Sequence, residues 1–117
     1  MTTITLRTLT VDDTAAVDHV RQFFRNYAAW LGVDLSFQGF DDEMASLPGA
    51  YSLPSGRLFY AEHNGQPAGC VAIRAFSTGL CEMKRLYVEP SQRGFGIGRD
   101  LVLAAIRAAK EIGYRKL

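Results

Sequence analysis

The sequence predicts a single α/β domain, α+β in strict usage, with a mostly antiparallel sheet. The predicted order is β-α-α-β-β-β-α, followed by the start of a fifth strand. Apolar residues recur at helical spacing near both ends, strand patterns joined by tight turns fill the middle, and glycines separate the last full strand from the last helix. The 117 residues, 48% of them hydrophobic, fit one globular domain over 1–117.

The amino-terminal part begins with a strand predicted over 4–9, where apolar and polar side chains alternate. Thr10 and Asp13 then have the spacing of a capping box, and the helix that Thr10 caps is expected to end at Gly32. Its apolar face consists of Val17, Val20, Phe24, Tyr27 and Leu31. A short second helix is predicted over 40–47.

The middle predicts a three-stranded antiparallel meander over 57–63, 68–76 and 80–88, and the last helix is predicted over 99–112. The glycine-containing breaks between and after these elements are Asn64-Gly65, Ser77-Thr78-Gly79 and Gly113. Residues 114–117 have the character of a strand that is just beginning.

The two cysteines are predicted to lie on neighbouring strands without forming a disulfide. The turn after the second meander strand pairs Ala75 with Cys81, which leaves Cys70 about five residues further along, at about 3.3 Å per residue. Both are therefore expected as buried thiols in a reducing compartment. His19 and His63 do not complete a metal-ligand spacing with them, so no metal is predicted.

Composition and charge exclude several classes of function. The formal net charge is +1 and no basic stripe is present, so no nucleic-acid partner is predicted. No segment has the roughly 20 apolar residues of a membrane span, and no secretory signal is recognisable at the start. A cytoplasmic protein without a membrane partner is expected.

The connection into the last helix predicts a phosphate-binding turn. Gly94, Gly96 and Gly98 alternate directly before the helical pattern, so the backbone can turn sharply and approach a ligand closely. The helix start supplies unpaired N–H groups and a favourable dipole, and Arg93 and Arg99 add positive charge. The spacing fits neither the dinucleotide fingerprint nor the nucleoside-triphosphate loop.

The segments 82–88 and 93–98 resemble the acetyl-CoA motif of the GNAT superfamily of N-acetyltransferases. Ser91 departs from the family pattern, which usually has Gln or Arg at that position. The resemblance implies the GNAT fold and acetyl-CoA as co-substrate, with the pyrophosphate on the turn and the pantetheine along the strand. The cofactor-binding residues that it implies are Leu86, Tyr87, Val88, Arg93, Gly94, Phe95, Gly96, Ile97, Gly98 and Arg99.

The resemblance also implies a general base on the last meander strand, and Glu82 is the candidate catalytic residue. By period-two alternation Glu82 shares a strand face with Leu86 and Val88. On that face its carboxylate could take the proton of the amine, directly or through water. The alternative is that Glu82 pairs with Arg74 or Lys84 at the strand surface.

Other side chains have weaker claims. His63 is expected at a solvated strand end and His19 at the surface. At the end of the first helix and in the segment after it lie Trp30, Leu31 and Phe37. These side chains could line an acceptor pocket, or they could pack in the core. A cationic amine could be attracted by Asp41, Asp42 and Glu43. The presence of three acidic residues at a helix start is explained equally well by their favourable interaction with the helix dipole.

Two functions remain open. The first is an N-acetyltransferase that moves an acetyl group from acetyl-CoA to a primary amine of a small molecule, peptide or protein. The second is a non-catalytic acyl-CoA-binding module, or a fragment of a longer enzyme.

The resemblance implies that the family domain continues beyond the last predicted helix with a fifth strand and further elements, which often carry a tyrosine that acts as general acid. This chain is therefore expected to be a C-terminally incomplete GNAT domain, and Tyr114 is expected to be a packing residue rather than that acid. Because one edge of the strand over 80–88 would then be unpaired, self-association through this edge is predicted.

Overall fold

A four-stranded antiparallel sheet in the order β1-β2-β3-β4 organises the fold, and the predicted fold class is confirmed. The structure is a computed structural model that describes residues 3–31 and 40–115. The strands are β1 (Ile4–Thr8), β2 (Arg57–His63), β3 (Gln66–Ser77) and β4 (Leu80–Val88). The helices are α1 (Thr14–Leu31), α2 (Phe40–Ser46) and α3 (Ile97–Ile112). Short 3₁₀ turns occupy Gly49–Tyr51 and Pro90–Gln92.

The start of α1 differs from the predicted one. The Thr10 amide donates to Asp13 Oδ2 at 2.7 Å, as in the expected pairing, but the first helical bond runs from the Val17 amide to the Asp13 carbonyl. Thr10 and Asp13 therefore close a turn ahead of the helix, and Asp13 rather than Thr10 stands at its N-cap position.

The β3–β4 hairpin has the predicted register next to its turn, since Ala75 lies opposite Cys81. Cys70 lies opposite Tyr87, and both cysteines are buried thiols that form no disulfide. The prediction that they are too far apart to bond is confirmed.

A bulge at Arg85 interrupts β4. Arg85 has a positive φ of 61°, and the register with β3 shifts there, so that Lys84 lies opposite Ala72 and Tyr87 lies opposite Cys70. The Cys70 thiol donates to the Arg85 carbonyl, with 3.4 Å between the two atoms. Because the bulge adds a residue, regular alternation does not continue through it.

The sheet separates two hydrophobic clusters. The first packs α1 and α2 on one face and includes Tyr87, whereas the second packs α3 on the other face together with Val88 and Met83. Glu82 neighbours Met83 and lies opposite Arg74, which puts it on the face of the first cluster. The inference that Glu82 and Val88 share a face is therefore wrong, because alternation was extended through the bulge.

The chain leaves α3 at Gly113, whose φ of 108° is left-handed. The Tyr114 hydroxyl donates to the Ser55 carbonyl at 2.7 Å and its ring packs against the second cluster, which confirms the expected packing role. The Arg115 amide donates to the Gly79 carbonyl at 2.8 Å. Residues 114 and 115 are not in a strand, and the rest of the predicted strand start lies outside the described residues.

Candidate cofactor-binding site

The connection from β4 to α3 forms an exposed turn with two left-handed glycines. Gly94 has φ 92° and Gly96 has φ 79°, and a Cβ built on either would meet no atom within 4 Å. The glycines are thus required by backbone conformation rather than by lack of space. Arg93 folds back on the strand, where its Nε donates to the Val88 carbonyl at 3.2 Å.

Helix α3 begins at Ile97, two residues before the predicted start, and Gly96 is its N-cap without a side-chain cap. The buried Ile97 side chain anchors this first turn in the core. The first hydrogen bond of the helix runs from the Asp100 amide to the Gly96 carbonyl at 3.0 Å. The amides that precede Asp100 in the first turn therefore have no acceptor within the helix. Such amides, with the helix dipole, favour an anion.

A cleft of about 390 Å³ follows the end of β4 into this turn. Of the residues predicted to bind the cofactor, the cleft brings together Leu86, Tyr87, Val88, Arg93, Gly94, Gly96, Ile97 and Gly98. Phe95 and Arg99 are not among its lining residues, and the Phe95 ring instead lies against His63. Sequence reasoning missed two lining residues, Tyr27 and Gln92. Tyr27 appears in the sequence only as part of an apolar helical stripe, which gives no sign that it reaches the cleft.

A second pocket of about 340 Å³ adjoins the cleft, since Tyr27, Leu86 and Tyr87 line both. Its other lining residues are Phe24, Met83, Lys84 and Arg85. The pocket therefore lies at the bulge, between β4 and α1, and combines apolar walls with two basic side chains.

The sequence model of the acetyltransferase (GNAT) family matches residues 20–117. The chain belongs to this family. An uncharacterised N-acetyltransferase of Schizosaccharomyces pombe is 38% identical over 103 residues, covering 86% of this chain and 63% of the relative. The chain thus spans less than two thirds of that GNAT relative.

Solved structures show the same fold. A GNAT-family acetyltransferase from Staphylococcus aureus matches with a TM-score of 0.79 at 16% identity, over 96% of this chain and 69% of the other. The PaiA N-acetyltransferase of Thermoplasma acidophilum, solved in complex with coenzyme A, matches with a TM-score of 0.67 at 18% identity, over 96% and 75%. These likenesses confirm the predicted GNAT fold.

Glu82 forms an ion pair in the GNAT sheet. The Arg74 Nε donates to Glu82 Oε1 at 2.6 Å, and both side chains are partly exposed. Glu82 is absent from the described lining of both the cleft and the second pocket. The surface pairing with Arg74 is present, and the role of Glu82 as base stays a prediction.

Glu43 is engaged by Arg85, which makes two hydrogen bonds of 2.8 Å to its carboxylate. Burial raises the pKa of Glu43, but the hydrogen bonds and charge of Arg85 outweigh it and leave the pKa below its ordinary value. Burial, with the nearby Glu43 charge, raises the pKa of Tyr51 to about 12. Glu43 therefore links α2 to the bulge, and its attraction of a substrate amine stays a prediction.

The remaining candidates occupy varied environments. Asp42 is exposed, and Trp30 is 79% exposed and stacked on Tyr27 with ring centroids 6.2 Å apart. His19 is exposed as predicted, and its Nδ1 lies 3.0 Å from the Tyr60 hydroxyl. The side chains of Leu31 and Asp41, and all of Phe37, lie outside the described residues.

The expectation that His63 is solvated is wrong, because the residue is only 7% exposed. The turn that follows β4 returns over the end of β2 and covers it. The Nδ1 atom of His63 lies 2.6 Å from Gln92 Oε1, a contact between residues 29 positions apart.

None of the helices in the described ranges is long and apolar enough to cross a membrane.

Proposed function

We propose that this chain forms the cofactor-binding part of an N-acetyltransferase that transfers an acetyl group from acetyl-CoA to a primary amine. The observation that carries the proposal is the cleft, in which a left-handed glycine turn and the start of α3 adjoin the end of β4. The complex of the Thermoplasma relative with coenzyme A supports the same ligand.

The two parts of the cleft suit two parts of CoA. Backbone amides at Gly94–Gly98, with the helix dipole and Arg93, suit the pyrophosphate. In the described sheet β4 is an edge strand, so the outer N–H and C=O groups at 86–88, apart from the Val88 carbonyl that accepts from Arg93, are available to the amides of pantetheine. The cofactor would then extend the sheet at this edge in the manner of an added strand.

Acetyl transfer requires a deprotonated amine and a stabilised oxyanion. The amine lone pair forms the new C–N bond, the C–S bond breaks, and the CoA thiolate leaves and takes up a proton. We assign the proton released by the amine to Glu82, directly or through water, and stabilisation of the oxyanion to a backbone N–H near Val88. For this role the Glu82 carboxylate must exchange its contact with Arg74 for one with the amine or the water.

The second pocket is where we place the amine acceptor, a small molecule or a peptide. It opens beside the part of β4 that would hold the thioester, and it shares Tyr27, Leu86 and Tyr87 with the cofactor cleft. Phe24 supplies an apolar wall for the carbon skeleton of an acceptor.

A non-catalytic acyl-CoA-binding module, or part of a longer enzyme, is the second candidate. The observation that favours it is the engagement of Glu82 by Arg74, which leaves the assigned base in an ion pair.

Two measurements on the full chain test these functions. Calorimetry should show similar affinities for acetyl-CoA and CoA and a much weaker one for adenosine, and absence of CoA binding would overturn both functions. Release of CoA thiol from acetyl-CoA, with a panel of primary amines, separates them: release supports the transferase, whereas binding without release for every amine supports the binding module.

A further inference from the structure

His63 connects the interior of the sheet to the glycine turn. It is the last residue of β2, in register with Ile4 of β1 and Gln66 of β3. Its ring contacts the turn twice, through the 2.6 Å contact between Nδ1 and Gln92 Oε1 and through Phe95, whose ring centroid is 4.5 Å away. The two contacts lie on either side of Gly94, the first left-handed residue of the turn, and Phe95 directly precedes Gly96, the second.

The hydrogen bond identifies which nitrogen of the ring is the donor. An amide oxygen such as Gln92 Oε1 only accepts, so His63 Nδ1 carries the proton and donates it. In the neutral ring the other nitrogen, Nε2, then holds a lone pair, and it is buried without a hydrogen-bond partner among residues 3–31 and 40–115. The hydrogen bond that the buried His63 ring makes through Nδ1 therefore joins it to Gln92 of the turn.

The two left-handed glycines contribute no side chain that could hold the turn, although the buried Ile97 anchors the helix start that follows it. Gly94 and Gly96 are exposed, and the space where a Cβ would stand is open at both. Arg93 bonds to the Val88 carbonyl, only five residues back in the chain. His63 lies in a different strand and ties the turn to the sheet core, so it can restrict the conformations that the glycines would otherwise allow.

We propose that His63 is a positioning residue for the phosphate-binding turn. By holding Gln92 through Nδ1–H and supporting Phe95 with its ring, it sets the backbone amides of 94–98 before the pyrophosphate arrives. This inference rests on the proposed function. A turn ordered in advance loses less conformational freedom on binding, which raises affinity for the phosphate-bearing part of the ligand.

The test compares His63→Leu with His63→Asn, using CoA and pantetheine as probes. The side-chain amide of Asn can donate from near the position of Nδ1, whereas Leu cannot. His63→Leu should weaken CoA binding about tenfold, and His63→Asn should recover most of that loss. Pantetheine has no phosphate, so its binding, followed by ligand-observed NMR, should be the same in all three proteins.

Gln92→Leu removes the same hydrogen bond from the turn side and serves if His63→Leu does not fold. It should weaken CoA binding about as much as His63→Leu, and the double variant should lose little more, because both changes remove one interaction. Thermal unfolding monitors the fold of each variant.

The proposal is overturned if CoA affinity is unchanged in His63→Leu and Gln92→Leu, or if Asn is as damaging as Leu. It is also overturned if pantetheine binding falls in proportion to CoA binding, since His63 would then only support the core. Absence of CoA binding in the unmodified chain overturns the proposed function as well, which distinguishes the two failures.

Discussion

Gly96→Val is expected to abolish CoA binding while the fold survives, and Gly65→Val provides a matched control. The two glycines have nearly the same left-handed φ, 79° and 81°, and a Cβ at either position meets no atom within 4 Å. A side chain in this conformation costs about 1–2 kcal/mol at each position. The two variants should therefore lose similar free energies of unfolding, measured by denaturant titration.

Their effects on the ligand should differ greatly. A valine at Gly96 stands at the start of α3 and displaces the amides that would bond the pyrophosphate. Losing two charge-assisted hydrogen bonds at about 1.5–3 kcal/mol each amounts to about 3–6 kcal/mol, or a loss of about 100-fold or more in CoA affinity. Gly65 lies in the β2–β3 hairpin and is absent from the cleft lining, so its variant should bind CoA normally. Equal CoA affinity in the two variants, measured by calorimetry, would refute the assignment of the turn.

Three further predictions address the base, the bulge and the sheet edge. Glu82→Gln should lower turnover by roughly 100-fold and leave CoA affinity within about twofold, whereas Arg74→Gln should retain turnover; normal turnover in Glu82→Gln would contradict the assignment. Glu43→Gln should cost about 1–2 kcal/mol at neutral pH, since the pair with Arg85 is only partly buried. Although burial raises it, the pKa of Glu43 is held below 4.5 by Arg85. The stabilisation by this ion pair should therefore disappear as the pH falls below 4.5 and Glu43 is protonated. Free energies of unfolding from denaturant titrations should then converge for Glu43→Gln and the unmodified chain. Association through the edge of Leu80–Val88 should make the mass measured by light scattering rise with concentration, and a monomer at all concentrations would contradict it.

Local signals in the sequence were sufficient for much of the sheet. The predicted bounds of β2 and β4 are those of the structure, because Asn64-Gly65 and Gly79 mark the hairpins and the strands are rich in apolar residues. The three alternating glycines likewise indicated the cleft, since a turn of this kind depends on residues that are adjacent in sequence.

Features that depend on distant contacts were not predictable in the same way. The bulge requires a left-handed arginine, which no local pattern indicates, and its guanidinium pairs with Glu43 from 42 residues away. His63 carries a polar side chain next to a hairpin, so the sequence favours exposure. Only the return of the chain over β2 buries it.

The exposed indole of Trp30 makes the chain well suited to fluorescence measurements. It is the single tryptophan of the sequence, and it borders a hollow shared with Tyr87 and Arg93 beside the cleft. Because Trp30 is already 79% exposed in the folded state, the emission of its indole should change little when the chain unfolds. A ligand that reaches Arg93 should alter it more strongly, so one intrinsic signal reports on occupancy while remaining nearly silent on denaturation.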